Sequence, residues 1–287
     1  MTKKFKKNVF ALITLSILVL ALTACGNDNS SDDKGKTSSI DAIKERGKVR
    51  IAVFSDKPPF GYIDENGKNQ GYDILLAKRI AKDLLGDESK VEFILTEAQN
   101  RVDVLKSDKV DITLANFTVT PERSEQVDFA NPYMKVAIGV ASPKKAAISD
   151  VQQLDGKKLL INKGTTAETY FAKNYVDIEQ VKYDQNTETF EALKDGRGAA
   201  LAHDNTLLYA WVKENPDYVV DIKSIGDLDY IAPAVKKSNK ELLDWLNEEL
   251  ETLGKEQFFH KAFDEVLRPV YGENVKADDV VVEGKSK

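Results

Sequence analysis

The segment Tyr133-Met-Lys-Val-Ala-Ile-Gly-Val-Ala141 decides the fold, because it separates two series of alternating strand and helix patterns. Its apolar and β-branched residues predict extended backbone. A second extended segment, Tyr230-Ile-Ala-Pro-Ala-Val235, follows the second series, and long helical patterns come after it. The simplest topology has the chain leave a first domain at one segment and return to it at the other. Two adjacent crossovers of this kind form a hinge.

The alternation on either side of these segments predicts the class of both domains. Upstream, strand and helix patterns alternate at residues 48–53, 74–84, 91–95, 102–106 and 110–115. Downstream, they alternate at residues 158–161, 165–175, 179–183, 187–195 and 199–202. This order is typical of α/β folds with mostly parallel sheets. Ligands of such sheets lie beyond the carboxyl ends of the strands, so we expect a ligand in the cleft between the domains.

The N-terminus has the pattern of a secretion signal. Four lysines within the first seven residues precede an apolar run from Val9 to Ala21, which is shorter than the span of about 20 residues that crosses a membrane. Leu22-Thr-Ala-Cys25 resembles the lipobox of bacterial lipoproteins, which implies that Cys25 takes up lipid and becomes the first residue of the mature protein. The alternative is an unmodified thiol at the end of an uncleaved anchor.

A polar stretch then leads to the body of the protein. Residues 26–39 contain no apolar side chain and predict a flexible tether. We therefore expect a lipid-anchored protein on the extracytoplasmic side of the cell membrane. The predicted regions are a signal peptide (1–24), a tether (25–39), a discontinuous domain 1 (40–136 and 235–270), domain 2 (137–234) and a C-terminal tail (271–287).

Composition excludes several classes of function. The chain has 47 acidic and 41 basic residues, and loss of the four signal lysines leaves 37 basic residues and a net charge of -10. This charge argues against nucleic acid as a partner. The single cysteine, Cys25, excludes internal disulfides and zinc-thiolate clusters. We find no Gly-x-Ser-x-Gly motif, Walker loop or metal-ligand spacing, and we predict no catalytic residue, cofactor or metal.

The strongest polar cluster is Asn116-Phe-Thr-Val-Thr-Pro-Glu-Arg123, directly after a predicted strand. Thr120 is suited to cap a helix that opens with proline. Arg123 then falls in the first turn, where its planar fork of donors suits a carboxylate that the Thr118 hydroxyl can also hold. The alternative is a surface arginine on an ordinary turn.

Together with Asp128-Phe-Ala-Asn-Pro-Tyr133, this cluster resembles the signature of solute-binding proteins of polar amino-acid ABC transporters, family 3. The resemblance implies two α/β domains of the type II periplasmic-binding-protein class, joined by a two-segment hinge. It also implies that Arg123 and Thr118 hold the ligand α-carboxylate and that Asp204 holds the α-ammonium. A zwitterion that leaves water needs both charges matched. An aspartate at a strand end can instead be a helix cap.

A second loop, Asn162-Lys-Gly-Thr-Thr166, opens a helix after the first strand of domain 2. A helix N-terminus suits a carboxylate, and the resemblance implies that Gly164, Thr165 and Thr166 close on the ligand from this side. Thr165 can also be a plain helix cap, and the two interpretations are compatible.

Selectivity for the ligand side chain is expected from the rim of domain 1. Phe60, Tyr62 and Phe117 can each lie on the ligand or in the core, and Asn116 opens the loop that holds Phe117. Arg101 matches the position where glutamate- and aspartate-binding relatives place an arginine for the side-chain carboxylate. Longer strings, such as Asp-Lys-Pro-Pro-Phe-Gly-Tyr, most resemble the cysteine-binding subgroup. We therefore rank cysteine first, then cystine, then aspartate or glutamate.

The resemblance implies a monomer that delivers its amino acid to an ABC permease in the membrane. Two other classes share the fold. A surface adhesin or sensor would have the same body, and a cyclic-acid dehydratase would need an acid-base pair. His203 and Asp204 suggest such a pair, but adjacent residues of a strand point to opposite faces.

Overall fold

A computed structural model describes residues 38–285. The predicted signal peptide, Cys25 and most of the tether lie outside the described residues. Within residues 38–285, no helix is long and apolar enough to cross a bilayer.

The described residues form helices and strands in the alternation that the sequence predicts. The strands are β1 (Val49–Val53), β2 (Asp56–Lys57), β3 (Gly61–Ile63), β4 (Asn69–Gln70), β5 (Val91–Leu95), β6 (Ile112–Thr113), β7 (Val127–Phe129), β8 (Met134–Pro143), β9 (Lys158–Asn162), β10 (Glu179–Tyr183), β11 (Ala200–Asp204), β12 (Tyr218–Ile231) and β13 (Ala234–Lys236). The helices are α1 (Ile40–Arg46), α2 (Tyr72–Leu85), α3 (Arg101–Lys106), α4 (Pro121–Ser124), α5 (Thr166–Asn174), α6 (Asn186–Lys194), α7 (Asn205–Glu214), α8 (Lys240–Lys255), α9 (Phe258–Ala262), α10 (Arg268–Tyr271) and α11 (Ala277–Val280). Short 3-10 helices occur at Glu88–Lys90, Ala98–Asn100, Lys144–Ala146, Val151–Leu154 and Gly272–Asn274, and Phe263–Leu267 is a π-helix.

Two five-stranded sheets dominate the part of the chain that the structure describes. The first has the order β5-β1-β6-β13-β7 and the second the order β10-β9-β11-β8-β12, while β2, β3 and β4 form a small third sheet. In each large sheet the first two pairings are parallel and the last two are antiparallel. The prediction of mostly parallel sheets is therefore wrong for half of the pairings. The antiparallel pairs involve the strands that the crossovers bring in, which need no helical connection.

The two crossovers run side by side, as the sequence predicts. β8 belongs to the second sheet and pairs with β12 as far as Met134 and Ile231. The Tyr133 amide donates to the Ile231 carbonyl at 2.9 Å, and the Ala130 amide donates to the Pro233 carbonyl at 2.8 Å. After Pro233 the chain enters β13 of the first sheet. The α/β fold with a two-segment hinge is thus confirmed, whereas the residue boundaries of the domains stay a prediction.

The end of the described chain packs on one of these crossovers. Val281 forms a bridge with Met134, and the Val282 amide donates to the Tyr133 carbonyl at 3.0 Å. Gly284 then packs closely on α8, where a Cβ at its position would lie 2.1 Å from the Leu250 carbonyl oxygen. The residues predicted as a tail therefore cover the first hinge segment.

Candidate ligand-binding site

Ala115 and Asn116 begin the site with an unusual backbone. Both have positive φ angles, 42° and 45°, which non-glycine residues adopt only at a cost. This turn cuts the predicted strand 110–115 down to Ile112–Thr113. The Asn116 amide donates to Asp73 Oδ2 at 2.7 Å, and the Arg101 Nη1 donates to both carbonyls, of Ala115 and Asn116, at 3.1 Å. These bonds to charged groups hold the turn in place.

A buried ion pair beside Asn116 joins the small third sheet to the second large sheet. The Lys57 Nζ lies 2.6 Å from Asp204 Oδ2 and donates to Asn116 Oδ1 at 2.7 Å, and the Lys57 side chain is 1% exposed. Lys57 comes from β2, and Asp204 ends β11 of the second sheet. Burial acts to raise the pKa of Asp204, but the charge and hydrogen bond of Lys57, together with His203 and Arg101, lower that pKa to about 2. The Asp204 carboxylate is therefore ionised at neutral pH. Burial lowers the pKa of Lys57, while the charge and hydrogen bond of Asp204 act to raise it.

Two arginines converge on one carbonyl oxygen and one ring. The Nη2 atoms of Arg101 and Arg123 donate to the Gly164 carbonyl at 2.9 Å and 2.8 Å. Both guanidinium groups lie over the Phe117 ring, with their carbon atoms 4.6 Å and 4.9 Å from its centroid. Burial, and then the charge of Arg123, lower the pKa of Arg101, but a guanidinium keeps its proton in proteins. Among residues 38–285, neither arginine has a carboxylate within ion-pair distance.

Asp73 places a second carboxylate beneath this loop. It is fully buried, and its Oδ1 accepts from the Tyr133 hydroxyl at 2.7 Å. Burial raises the pKa of Asp73 to about 6, although the hydrogen bonds from Tyr133 and from the Asn116 amide act to lower it. Asp73 lies in the first turn of α2, and Tyr133 directly precedes the hinge strand β8.

Loops from the two sheets touch around these groups. Asp56 accepts from the Asn186 amide at 2.8 Å, and Gln99 Nε2 donates to Asp184 Oδ1 at 2.8 Å. Gly164 has a φ of 75°, and a Cβ there would lie 2.4 Å from the Gln99 Cα. Such a contact between two backbones leaves room for glycine alone.

The structure brings most of the predicted residues together. Lys57, Asp73, Arg101, Arg123 and Asp204 lie around Asn116 and form what we call the charged cluster. Phe117 and Gly164 contact its arginines, and the Thr118 carbonyl accepts from Arg123 Nη1 at 2.6 Å. Phe60 is fully buried in the core and lies 5.7 Å beneath the Lys57 Nζ.

Three predicted residues take other positions. Tyr62 pairs with Gln70 within the small sheet, and Thr166 is the first residue of α5. Thr165 caps α5 by accepting from the Glu168 amide at 3.3 Å. In the part of the chain that the structure describes, no bond links these three to the charged cluster.

Asp204 corrects two expectations. It stands at the N-cap position of α7 but makes no side-chain cap bond, so the helix-cap alternative is wrong. The opposite-face argument is also wrong, since the two side chains approach each other, with His203 Nδ1 3.6 Å from Asp204 Oδ2. Asp204 is the last residue of the strand and has a φ of -52°, so its side chain no longer follows the alternation between the two faces of the sheet. Burial lowers the pKa of His203 to about 3, so its ring is neutral near pH 7.

Sequence reasoning missed Lys57 and Asp73 as site residues. Lys57 follows Ser55 and Asp56, so no local pattern marks it, whereas Asp73 interrupts the apolar face of a helix. A charged residue inside an apolar pattern is the signal that would have found Asp73.

Comparison with known proteins agrees with this geometry. The model of the bacterial extracellular solute-binding proteins, family 3, matches residues 49–267. The chain belongs to this family. The family that the Thr118–Tyr133 region predicts is therefore confirmed.

Relatives of this solute-binding protein include two solved structures. A cysteine-binding protein from Campylobacter jejuni is 64% identical, with a TM-score of 0.84, over 85% of this chain and 98% of that one. A solute receptor for L-cysteine from Neisseria gonorrhoeae is 57% identical, with a TM-score of 0.84, over 85% and 99%. The ABC transporter glutamine-binding protein GlnH of Bacillus subtilis is 34% identical over 86% of this chain and 92% of its own.

The Tyr133 hydroxyl gives the solute-binding protein a pH-dependent bond. Tyr133→Phe should lower the free energy of unfolding by about 1.5 to 3 kcal/mol near pH 8, where Asp73 is ionised. The folded pKa of Asp73 lies above its unfolded value, so its contribution to stability is full at low pH and is lost as pH rises through about 6. Loss of Tyr133 raises that pKa further, so the penalty should shrink at about pH 5.

Urea unfolding at the two pH values measures this difference. Tyr72→Phe is the matched control, because the Tyr72 hydroxyl donates to the neutral Phe259 carbonyl at 3.1 Å. Tyr72→Phe should therefore lower the free energy of unfolding by about 1 kcal/mol at both pH values. Equal penalties for Tyr133→Phe at both pH values would refute the ionised Asp73.

Proposed function

We propose that this protein is the amino-acid-binding component of an ABC importer and that L-cysteine is its preferred ligand. The observation that carries the proposal is a pair of guanidinium groups without a carboxylate, opposite the ionised Asp204 in the same cluster. A free amino acid offers the two complementary charges. The two cysteine-binding structures support cysteine, while cystine and aspartate or glutamate remain the alternatives.

The ligand α-carboxylate is assigned to Arg123. Its Nη2 donates to the Gly164 carbonyl, and its Nη1 donates to the Thr118 carbonyl, so both ends of the fork are already fixed in space. A guanidinium held in this way can donate to a carboxylate with little further loss of side-chain entropy. The Thr118 hydroxyl is the second expected donor.

The ligand α-ammonium is assigned to Asp204, which it shares with Lys57. Asp204 has a second carboxylate oxygen besides the Oδ2 that Lys57 contacts. The ligand ammonium can therefore bind Asp204 without displacing Lys57, and the cluster remains an ion-paired network.

Binding to the wild-type protein is measured by calorimetry with L-cysteine under reductant, L-cystine without it, L-aspartate and L-glutamate. Arg123→Ala should weaken the best ligand by about 2 to 5 kcal/mol, because the carboxylate loses its charged partner. Arg197→Ala is the control, since that exposed arginine pairs with Asp195 and should leave affinity unchanged. An Arg123→Ala affinity within threefold of wild type would sink the assignment of the carboxylate.

Closure over the ligand depends on Gly164. Gly164→Ala places a Cβ against the Gln99 backbone and should reduce cysteine affinity by at least tenfold. Gly156→Ala is the matched control, because Gly156 has a φ of 68° and open space around its Cβ position. Gly156→Ala introduces the same backbone strain, about 1 kcal/mol, but no contact with another backbone. If both variants bind cysteine equally, the loops do not need to meet for binding.

The membrane anchor is proposed from the lipobox-like sequence at Cys25. Cys25→Ser removes the thiol that accepts lipid, so the protein should move from the membrane fraction to the medium. Its cysteine affinity should be unchanged, which shows that the secreted variant is folded. Retention at the membrane would indicate an uncleaved N-terminal helix or a protein partner.

A further inference from the structure

We propose that the cleft binds cysteine as its anion, with the sulfur deprotonated, so that binding near neutral pH releases a proton to solvent. This inference rests on the proposed function. Its basis is the balance of charge in the charged cluster.

Three cations of the cluster face two carboxylates. Lys57 and Arg101 are 1% and 3% exposed, Asp73 and Asp204 are 0% and 5% exposed, and Arg123 is partly buried. One positive charge is thus in surplus. His203 is neutral and the Tyr133 hydroxyl acts as a donor, so neither neighbour supplies the missing negative charge.

Two further acids approach Arg123 from its solvent side. Glu122 is exposed and Asp229 is half-buried, and both act to raise the pKa of Arg123 while burial lowers it to about 10. Solvent screens charges in such positions. The acids that act most strongly on Lys57 and Arg101 are Asp204 and Asp73.

A zwitterionic ligand cannot remove this surplus. Its carboxylate adds one negative charge near Arg123, and its ammonium adds one positive charge near Asp204, which already balances Lys57. Lys57 and Arg101 then share Asp73 as their remaining buried counter-ion. An uncompensated charge in a buried site is strongly unfavourable. A negative charge on the ligand side chain completes the balance.

Cysteine can supply that charge at modest cost. A free thiol has a pKa of about 8.5, and neighbouring lysine or arginine lowers thiol pKa values to between about 3.5 and 7.5. In the proposed step the S–H bond breaks, the electron pair stays on sulfur and the proton passes to the buffer. No oxidant or reductant takes part.

The test counts protons by calorimetry at about pH 7.5, in phosphate, HEPES and Tris buffers with a phosphine reductant. Asp73, with a pKa of about 6, is ionised in these conditions and contributes little exchange. The slope of binding enthalpy against buffer ionisation enthalpy should show nearly one proton released per cysteine bound. Affinity should rise about tenfold per pH unit between about pH 6.5 and 8 and level off above the thiol pKa.

Two ligands and two variants sharpen the result. Selenocysteine, whose selenol is already ionised, should bind without proton release, and S-methylcysteine should bind at least tenfold more weakly than cysteine. Lys57→Met removes the surplus charge and weakens the cluster, so it should bind cysteine less tightly, and the cysteine that it binds at high concentration should release no proton. Lys157→Met, an exposed lysine outside the cluster, is the matched control and should release the proton as wild type does.

The outcomes separate this inference from the proposed function. Tight cysteine binding without proton release overturns the inference and leaves the proposed function standing. Failure of cysteine to bind, with tight binding of aspartate or another amino acid, overturns the choice of ligand itself. Proton release that persists in Lys57→Met would assign the proton to another group and refute the charge balance.

Discussion

Asn116 is the residue on which the site depends, because three of its polar groups each face a different charged side chain. Its amide donates to Asp73, its carbonyl accepts from Arg101 and its side-chain oxygen accepts from Lys57. The left-handed backbone at Ala115 and Asn116 allows these three directions at once. Strain of this kind persists only where the surroundings fix it, and here the surroundings are the charges that the loop organises.

The same loop is connected to the hinge through Tyr133. The Tyr133 hydroxyl donates to Asp73, its amide donates to Ile231 on the other crossover and its carbonyl accepts from Val282. A change in the angle between the sheets must therefore displace a residue that is bonded to the site. The contacts across the cleft at Asp56, Gln99 and Gly164 form only when the loops meet, which makes them markers of closure.

Local features of this protein were readable from the sequence, whereas long-range pairings were not. The Thr120 and Thr165 caps and the strand-helix alternation depend on neighbours within a few positions, and the structure has them as predicted. The antiparallel edge strands depend on partners far along the chain. Lys57 and Asp204 are 147 positions apart, and lysine is usually exposed, so no local pattern indicated their bond. Arg123 was indicated by the polar cluster at a helix start, Asp204 was found through the family resemblance, and Asp73 was hidden in a helix pattern.

The division of the charged cluster between the two sheets separates recognition from closure. Lys57, Arg101 and Arg123 all belong to elements around the first sheet, together with Asp73. The second sheet contributes Asp204 and the Gly164 carbonyl, one negative charge and one dipole that point at those cations. The first domain can therefore hold a ligand by its negative groups while the cleft is open. Attraction between the cations and the second domain then favours closure, and a ligand that leaves a buried cation unmatched weakens this step most.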